Sequence, residues 1–329
     1  MIITRTPFRI SFTGGGSDLP AFYRQEPGCV LSTSINKYMF IAIHPFFDPE
    51  KTQLKYSRTE LVSAFNEIQH PIFREVLKLH NLKGIDINSI ADIPAGTGLG
   101  SSSSFTVGLL HAVHAYNNKK VSGEQLAKEA CEIELIKLGE PIGKQDQYAA
   151  ACGDLNFITF NPDESVIVEK VKLPGSKKQE LAENLIMIYT GDSRSASKLL
   201  AEQGKAISEA SKFQSVQAMV KLTHELKKAL NQSSIDALGT ALHESWLLKR
   251  SLLSGISNDH IDAIYAKGRS AGASGGKLLG AGAGGFILFY CKKEAQPKFR
   301  SLMKEYRELD FCFDEAGSKV VYIGEHYQK

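Results

Sequence analysis

The stretch PAGTGLGSSSSFTVGLLHAVHAY, Pro94 to Tyr116, places three glycines and four consecutive serines directly before an apolar run. No other segment restricts the possible folds so much. Gly96, Gly98 and Gly100 allow a sharp turn and a close approach of the backbone to a ligand. Phe105, Val107, Leu109, Leu110, Val113 and Tyr116 recur at helical spacing, which predicts a helix over about Ser101–Asn118. A glycine-rich turn that opens a helix directs backbone N–H groups at one point, which suits an anion such as phosphate. An ordinary loop closed by a serine N-cap fits the same residues.

A chain of 329 residues is long enough for two domains or one large one. A net charge of +3 is too small to argue for nucleic acid or an acidic membrane surface as partner. No apolar run approaches the roughly 20 residues that span a bilayer. The start, MIITRTPFRISF, reads as a strand of the fold and lacks the apolar core of a signal peptide. Cys29, Cys131, Cys152, Cys291 and Cys312 form no CxxC pair, so disulfide scaffolds and zinc ribbons are not expected. Each reads as a small buried apolar residue, and free thiols fit a reducing cytoplasm.

Strands are expected at the start, at YMFIAIHPF, at GIDINSI, and in DLNFITF and SVIVEKVKL around the turn NPDE. LVSAFNEIQHPIFREVLKLH reads as a helix interrupted by Pro71, and a second helix covers about Ser122–Leu138. The second half reads as a strand at NLIMIYTG, helices from about Ser195 to Arg250 and from about Asp259 to Gly272, then a glycine-rich turn entering the strand GGFILFYC. A helix near Lys293–Tyr306 and strands near Leu309–Phe313 and Lys319–Ile323 follow. A boundary near LPGSKKQELAEN divides the chain into 1–175 and 176–329, with the last strand free to return to either part.

Neither glycine-rich turn is a known nucleotide fingerprint. GTGLGSSSS lacks the GK[ST] ending of a P-loop, and GAGAGG precedes a strand where a dinucleotide fingerprint would follow one. The order of four motifs says more. PAGTGLGSSSS looks like the phosphate loop of the GHMP kinases, and KLLGAGAGGF resembles their C-terminal glycine-rich motif. TPFRISFTGGGSDL lines up without a gap with a galactokinase stretch at Pro7, Arg9, Gly14 and Asp18, with Ser17 in place of threonine. GKQDQYAA resembles the galactokinase segment around its catalytic aspartate. The resemblance runs from Thr6 to about Phe286. It implies an α+β, two-domain GHMP kinase fold: an N-terminal domain like ribosomal protein S5 domain 2, and a ferredoxin-like C-terminal domain.

Residue by residue, the resemblance implies that Asp146 takes the proton from the substrate hydroxyl, with Arg9 beside it offsetting phosphate charge. On residue type alone, Asp146 also fits a helix N-cap and Arg9 a surface salt bridge. Pro94, Gly96, Gly98, Leu99, Gly100, Ser101, Ser102 and Ser103 are implied to hold ATP. Glu134 lies twelve residues before Asp146, the family spacing for a metal-binding glutamate, and Ser102 is implied to complete the Mg2+ shell. Glu134 also fits a solvated helix face. A side chain at Gly98 or Gly100 is expected to abolish nucleotide binding while the fold survives.

Asp18, Gly16, Ser17 and Gly282 are implied to face the substrate, although Asp18 also fits a turn residue after glycines. GGGSD lacks the glutamate and histidine of galactokinase, which weighs against galactose. With YTGDSRSASKLLAEQ, it looks more like the D-glycero-D-manno-heptose 7-phosphate kinases, with L-fucokinase as a cousin. Arg194 and Lys198 stand four apart near a helix start, where they fit a phosphate clamp or the basic face of an amphipathic helix. The expectation is a cytoplasmic ATP- and Mg2+-dependent sugar kinase, monomer or homodimer, acting on a small-molecule sugar phosphate without nucleic acid or membrane. A kinase for a free sugar such as L-fucose or galactose, and an inactive sugar-sensing regulator on the same fold, are the rival readings. A nucleic-acid binder would need a basic patch that is absent.

Overall fold

The structure, a computed structural model, describes residues 1–191 and 196–324. The opening strand, Ile2–Thr13, pairs antiparallel with an 18-residue strand, Gly28–Pro45. This long strand is the spine of a nine-stranded sheet. Its first part pairs with Leu155–Phe160 and its second with Ile85–Ala91. Val166–Lys170 pairs with Leu155–Phe160 around the NPDE turn, as expected.

Helix Ser101–Tyr116 lies on Ile2–Thr13 and Gly28–Pro45 and is buried on nearly every side. Gly108 permits the close approach: Thr4 Oγ1 donates to its carbonyl at 2.9 Å, and a Cβ there would stand 2.9 Å from Thr6 Oγ1. A helix enclosed on all sides is held rigidly. The glycine turn at its N-terminus is therefore presented from a fixed base.

A second sheet has the order Leu185–Tyr189, Phe286–Tyr290, Gly275–Leu278, all antiparallel. On its other edge, Tyr189 N donates to Arg307 O and Leu309 N to Met187 O, each at 2.9 Å. Counting that edge segment, the spatial order is the one a ferredoxin-like sheet has. Helices Ala196–Ile207, Ala210–Asn231, Ala237–Arg250 and Asp259–Ser270 lie between the first two strands of this sheet in sequence. Trp246 and Phe289 are buried in an apolar cluster that includes residues of this sheet and its helices, distinct from the larger cluster of the first sheet.

Several local expectations change. Thr59–Val62 is a strand paired with Thr52–Lys55, a single 3-10 turn follows at Phe65–Glu67, and the α-helix starts only at Pro71. The Glu60 carboxylate accepts from Gln69 N at 2.6 Å and His70 N at 3.1 Å, which stops a helix from running through. Pro71, with no N–H to lose, opens the helix instead of interrupting it. The helix expected to reach Leu138 is α-helical over Gly123–Cys131 and then a π-helix over Glu132–Lys137. The chain leaves the second sheet after Leu309. Phe313–Asp314 pairs with Gly28–Pro45, and Lys319–Ile323 with Ile2–Thr13, so both segments lie on the first sheet. Cys29, Cys131 and Cys291 are buried, but Cys312 is exposed and Cys152 half-buried; all five thiols are free. No described helix is long and apolar enough to cross a membrane.

Candidate active site

A cavity of about 940 Å³ opens between the two glycine-rich turns. Pro94, Gly96, Gly98, Gly100 and Ser101–Ser103 line one wall, and Gly280, Gly282 and Gly284 the other. The turns pack backbone on backbone: a Cβ on Gly98, whose φ is +82°, would stand 2.5 Å from Leu279 O. A side chain at Gly98 would strike the opposite turn, which sets this contact against the expectation that the fold is untouched by such a change. Leu99 is buried and turned from the cavity; its carbonyl accepts Arg9 N at 3.1 Å.

The serine N-cap is also corrected. Gly100 occupies the cap position at φ +76°, and no side chain caps the helix. The hydroxyls go elsewhere: Ser102 Oγ donates to Glu134 Oε1 and Ser103 Oγ to Glu134 Oε2, each at 2.9 Å, and Ser104 Oγ donates to Pro7 O at 2.9 Å. With no side-chain cap at this helix end, an anion in the cavity can be met by backbone N–H groups.

Arg9, only 4% exposed, reaches from the opening strand to Asp146. Nε donates to Oδ1 and a terminal nitrogen to Oδ2, both at 2.7 Å, while the other terminal nitrogen donates to Gly98 O at 2.7 Å. The pair is a fork-to-fork contact. Asp146 stands inside helix Gln145–Cys152 and caps nothing, so neither the cap nor the surface ion pair describes these residues. Arg9 thereby ties the phosphate-loop backbone to the carboxylate.

Glu134 is 1% exposed, while Glu132 faces solvent. Standing two residues apart on a helical turn, the two side chains point to opposite faces. Gln147 Nε2 donates to Glu134 Oε2 at 2.7 Å, beside the two serines. Burial pushes this carboxyl above its usual range, against the hydrogen bonds that lower it. Among the described residues no lysine or arginine pairs with it. A buried carboxylate without a cation, next to a hydroxyl on the cavity wall, fits a hard divalent ion. His80, His114 and Glu129 group elsewhere, outside the cavity lining.

Glu134→Gln is expected to raise the melting temperature of the enzyme free of nucleotide and metal, and to lower its activity. The amide keeps the shape, and the Ser102 hydroxyl can turn to accept from the new NH2 group. The sign follows from the raised pKa: the ionised form is disfavoured by folding, and stability falls as pH climbs from the unfolded carboxyl range toward the folded one. Scanning calorimetry near neutral pH checks it; a lower melting temperature would show that the ionised carboxylate is a net stabiliser.

Asp18 is buried, and Gly16 N donates to its Oδ1 at 2.9 Å. Burial raises its pKa most, with Asp146 adding to the effect. Asp18, Gly16 and Gly282 line the cavity. Ser17 does not. Its buried hydroxyl lies 2.8 Å from Gly14 O and accepts Cys29 N at 3.0 Å, holding the turn against the long strand. We expect Ser17→Ala to lower stability by about 1–3 kcal/mol through the unpaired backbone N–H, without changing acceptor KM. A raised KM at unchanged stability would return Ser17 to the substrate.

Arg194 lies outside the described residues. Lys198 is exposed on helix Ala196–Ile207 and does not line the cavity, so the expected phosphate clamp is not assembled there by Lys198. That helix contributes Gln203 to the lining instead. The lining also holds two buried lysines that the motifs do not point to, Lys249 and Lys277. Lys249 follows Leu242, Ser245 and Trp246 on the buried stripe of its helix, and Lys277 sits in a wholly buried strand. A lysine on an apolar face was the available signal.

A fixed helix N-terminus facing a second glycine turn, with a carboxylate forked by arginine between them, defines a small-molecule phosphotransferase. Comparison with known proteins is specific. Residues 60–154 match the GHMP kinases N terminal domain, and residues 226–307 the GHMP kinases C terminal domain. The chain is 29% identical over 332 residues to the D-glycero-alpha-D-manno-heptose 7-phosphate kinase of Campylobacter jejuni, covering 97% of this chain and 98% of that one. It is 26% identical over 331 residues to the bifunctional fucokinase/GDP-fucose pyrophosphorylase of Arabidopsis thaliana, 92% of this chain and 31% of that one. A solved structure of a D-glycero-D-manno-heptose 1-phosphate kinase from Bacteroides thetaiotaomicron shares the fold, with a TM-score of 0.82 at 22% identity over 99% of this chain and 100% of that one. The chain belongs to the GHMP kinase family. It is an ATP-dependent kinase whose acceptor is an alcohol group.

Proposed function

We propose that this kinase phosphorylates the anomeric hydroxyl of D-glycero-D-manno-heptose 7-phosphate, giving the 1,7-bisphosphate for nucleotide-activated heptose synthesis. The observation that carries the chemistry is the Arg9–Asp146 fork beside the Gly98 carbonyl, at the meeting of the two glycine turns. The relative from Campylobacter jejuni supports the choice of acceptor.

In this reading the acceptor hydroxyl lies against Asp146 and gives it a proton as its oxygen attacks the γ-phosphorus. The new O–P bond forms, the bond to the bridging oxygen breaks, and ADP leaves. Arg9 holds Asp146 in place and offsets charge on the transferred group. Backbone N–H groups of residues 96–103 cradle the phosphates. Ser102 and Glu134 would hold Mg2+, which neutralises phosphate charge when bound. Asp18, with Gly16 and Gly282, positions the sugar. Tyr56, His70, Ile72 and Phe105 line a more apolar part of the cavity suited to the adenine ring. We further propose a division near Gly175, with residues 313–323 returning to the N-terminal unit.

ADP release with a panel of free and phosphorylated sugars tests the reading. Heptose 7-phosphate should be turned over most efficiently. A preference for L-fucose or another free sugar would replace this acceptor.

A further inference from the structure

We propose that Lys249 and Lys277 form the receptor for the acceptor's own phosphate, a phosphate monoester dianion. The inference rests on the acceptor being a sugar phosphate. Lys277 is 2% exposed on strand Gly275–Leu278 and lines the cavity. Among the described residues it has no carboxylate within ion-pair range and no hydrogen-bond acceptor. Lys249, at the end of helix Ala237–Arg250, donates to Gly280 O and likewise has no carboxylate partner among the described residues.

Two buried ammonium groups beside one cavity, near a buried arginine, are costly unless an anion arrives with the ligand. Arg9 adds a third positive charge beside them, and its carboxylate partner Asp146 is already engaged in the fork. The strain is visible in their protonation. Burial brings Lys249 down to about 8, and burial, then Lys249, then Arg9 hold Lys277 well below the usual lysine range. Lys277 lines the same cavity as Asp18, the carboxylate that the proposed function sets against the sugar.

The transferred γ-phosphoryl group is a second source of the same dianion. Lys249 is tied to the turn that meets the phosphate loop, since it donates to Gly280 O and Gly280 packs on Gly98. Lys277 is the residue that separates the two. A methionine there keeps the length and removes only the charge, so folding should survive; melting temperature verifies this, and Lys277→Arg serves as the rescue variant.

The measurements are kcat/KM for heptose 7-phosphate and for the same heptose without its phosphate, and the Kd of a non-hydrolysable ATP analogue by calorimetry. Lys277→Met should lower the ratio of the two kcat/KM values by about 10- to 150-fold, the worth of one charge-assisted contact, and Lys277→Arg should restore much of it. Affinity for the ATP analogue should stay within about threefold in both. If the analogue's affinity falls and the ratio holds, the lysine serves the transferred phosphoryl group and the proposal is overturned. If wild type prefers the phosphorylated heptose and Lys277→Met keeps that preference, the lysine assignment fails while the acceptor stands. If wild type shows no preference for the phosphorylated sugar, the acceptor reading fails and this inference with it.

Discussion

Replacing Asp146 with asparagine is expected to lower kcat by about 10²- to 10⁴-fold, the usual cost of losing a general base, with a much smaller change in KM for ATP. The amide fills the same space but takes no proton from the acceptor hydroxyl. It also leaves the Arg9 fork facing a neutral group. Removing one partner of a buried ion pair costs on the order of 3–5 kcal/mol, and less here because Asp146 is 25% exposed and Arg9 keeps its bond to Gly98 O. A lower melting temperature therefore accompanies the rate loss, and kinetics belong well below the new transition. A folded mutant within a few-fold of wild-type kcat would make Asp146 a structural anchor for Arg9.

Gly98→Val should abolish nucleotide binding and destabilise the protein as well. The residue sits at φ +82°, where a left-handed conformation costs a side chain about 1–2 kcal/mol and a β-branched one more. The larger effect is steric. The new Cβ would lie 2.5 Å from Leu279 O, on backbone that has no rotamer to yield. The two glycine turns must then separate, and the cavity between them loses its shape. Gly139→Ala is the control, since Gly139 has φ +65° and no neighbour within 4 Å of a new Cβ. It carries the conformational cost alone. Calorimetry with a non-hydrolysable ATP analogue and melting curves of both variants decide the matter. Unchanged nucleotide affinity in Gly98→Val would remove the phosphate-loop role.

Much of the secondary structure follows from short-range pattern. The long apolar run after four serines, the β-forming residues of DLNFITF and the turn at NPDE act through neighbours a few residues apart, and each forms where its pattern lies. Glu60 shows where such reading stops. Its carboxylate binds two backbone N–H groups nine and ten residues away, which turns an expected helix into a strand, a turn and a shorter helix.

By itself, the sequence determined the order of the four motifs, and hence the family, together with the chemical types available to the site. The tertiary structure decided which of those groups meet. Arg9 and Asp146 are 137 residues apart, and Ser102 and Glu134 are 32 apart. It turned Ser17 into the fold, set Lys198 on the surface, buried Lys249 and Lys277 beside the cavity, and returned the last strand to the first sheet. The physical reason is one of range. Local pattern selects a helix or a strand. The direction a side chain finally takes is set by close packing and by the need to satisfy buried polar groups, against partners far away in the chain.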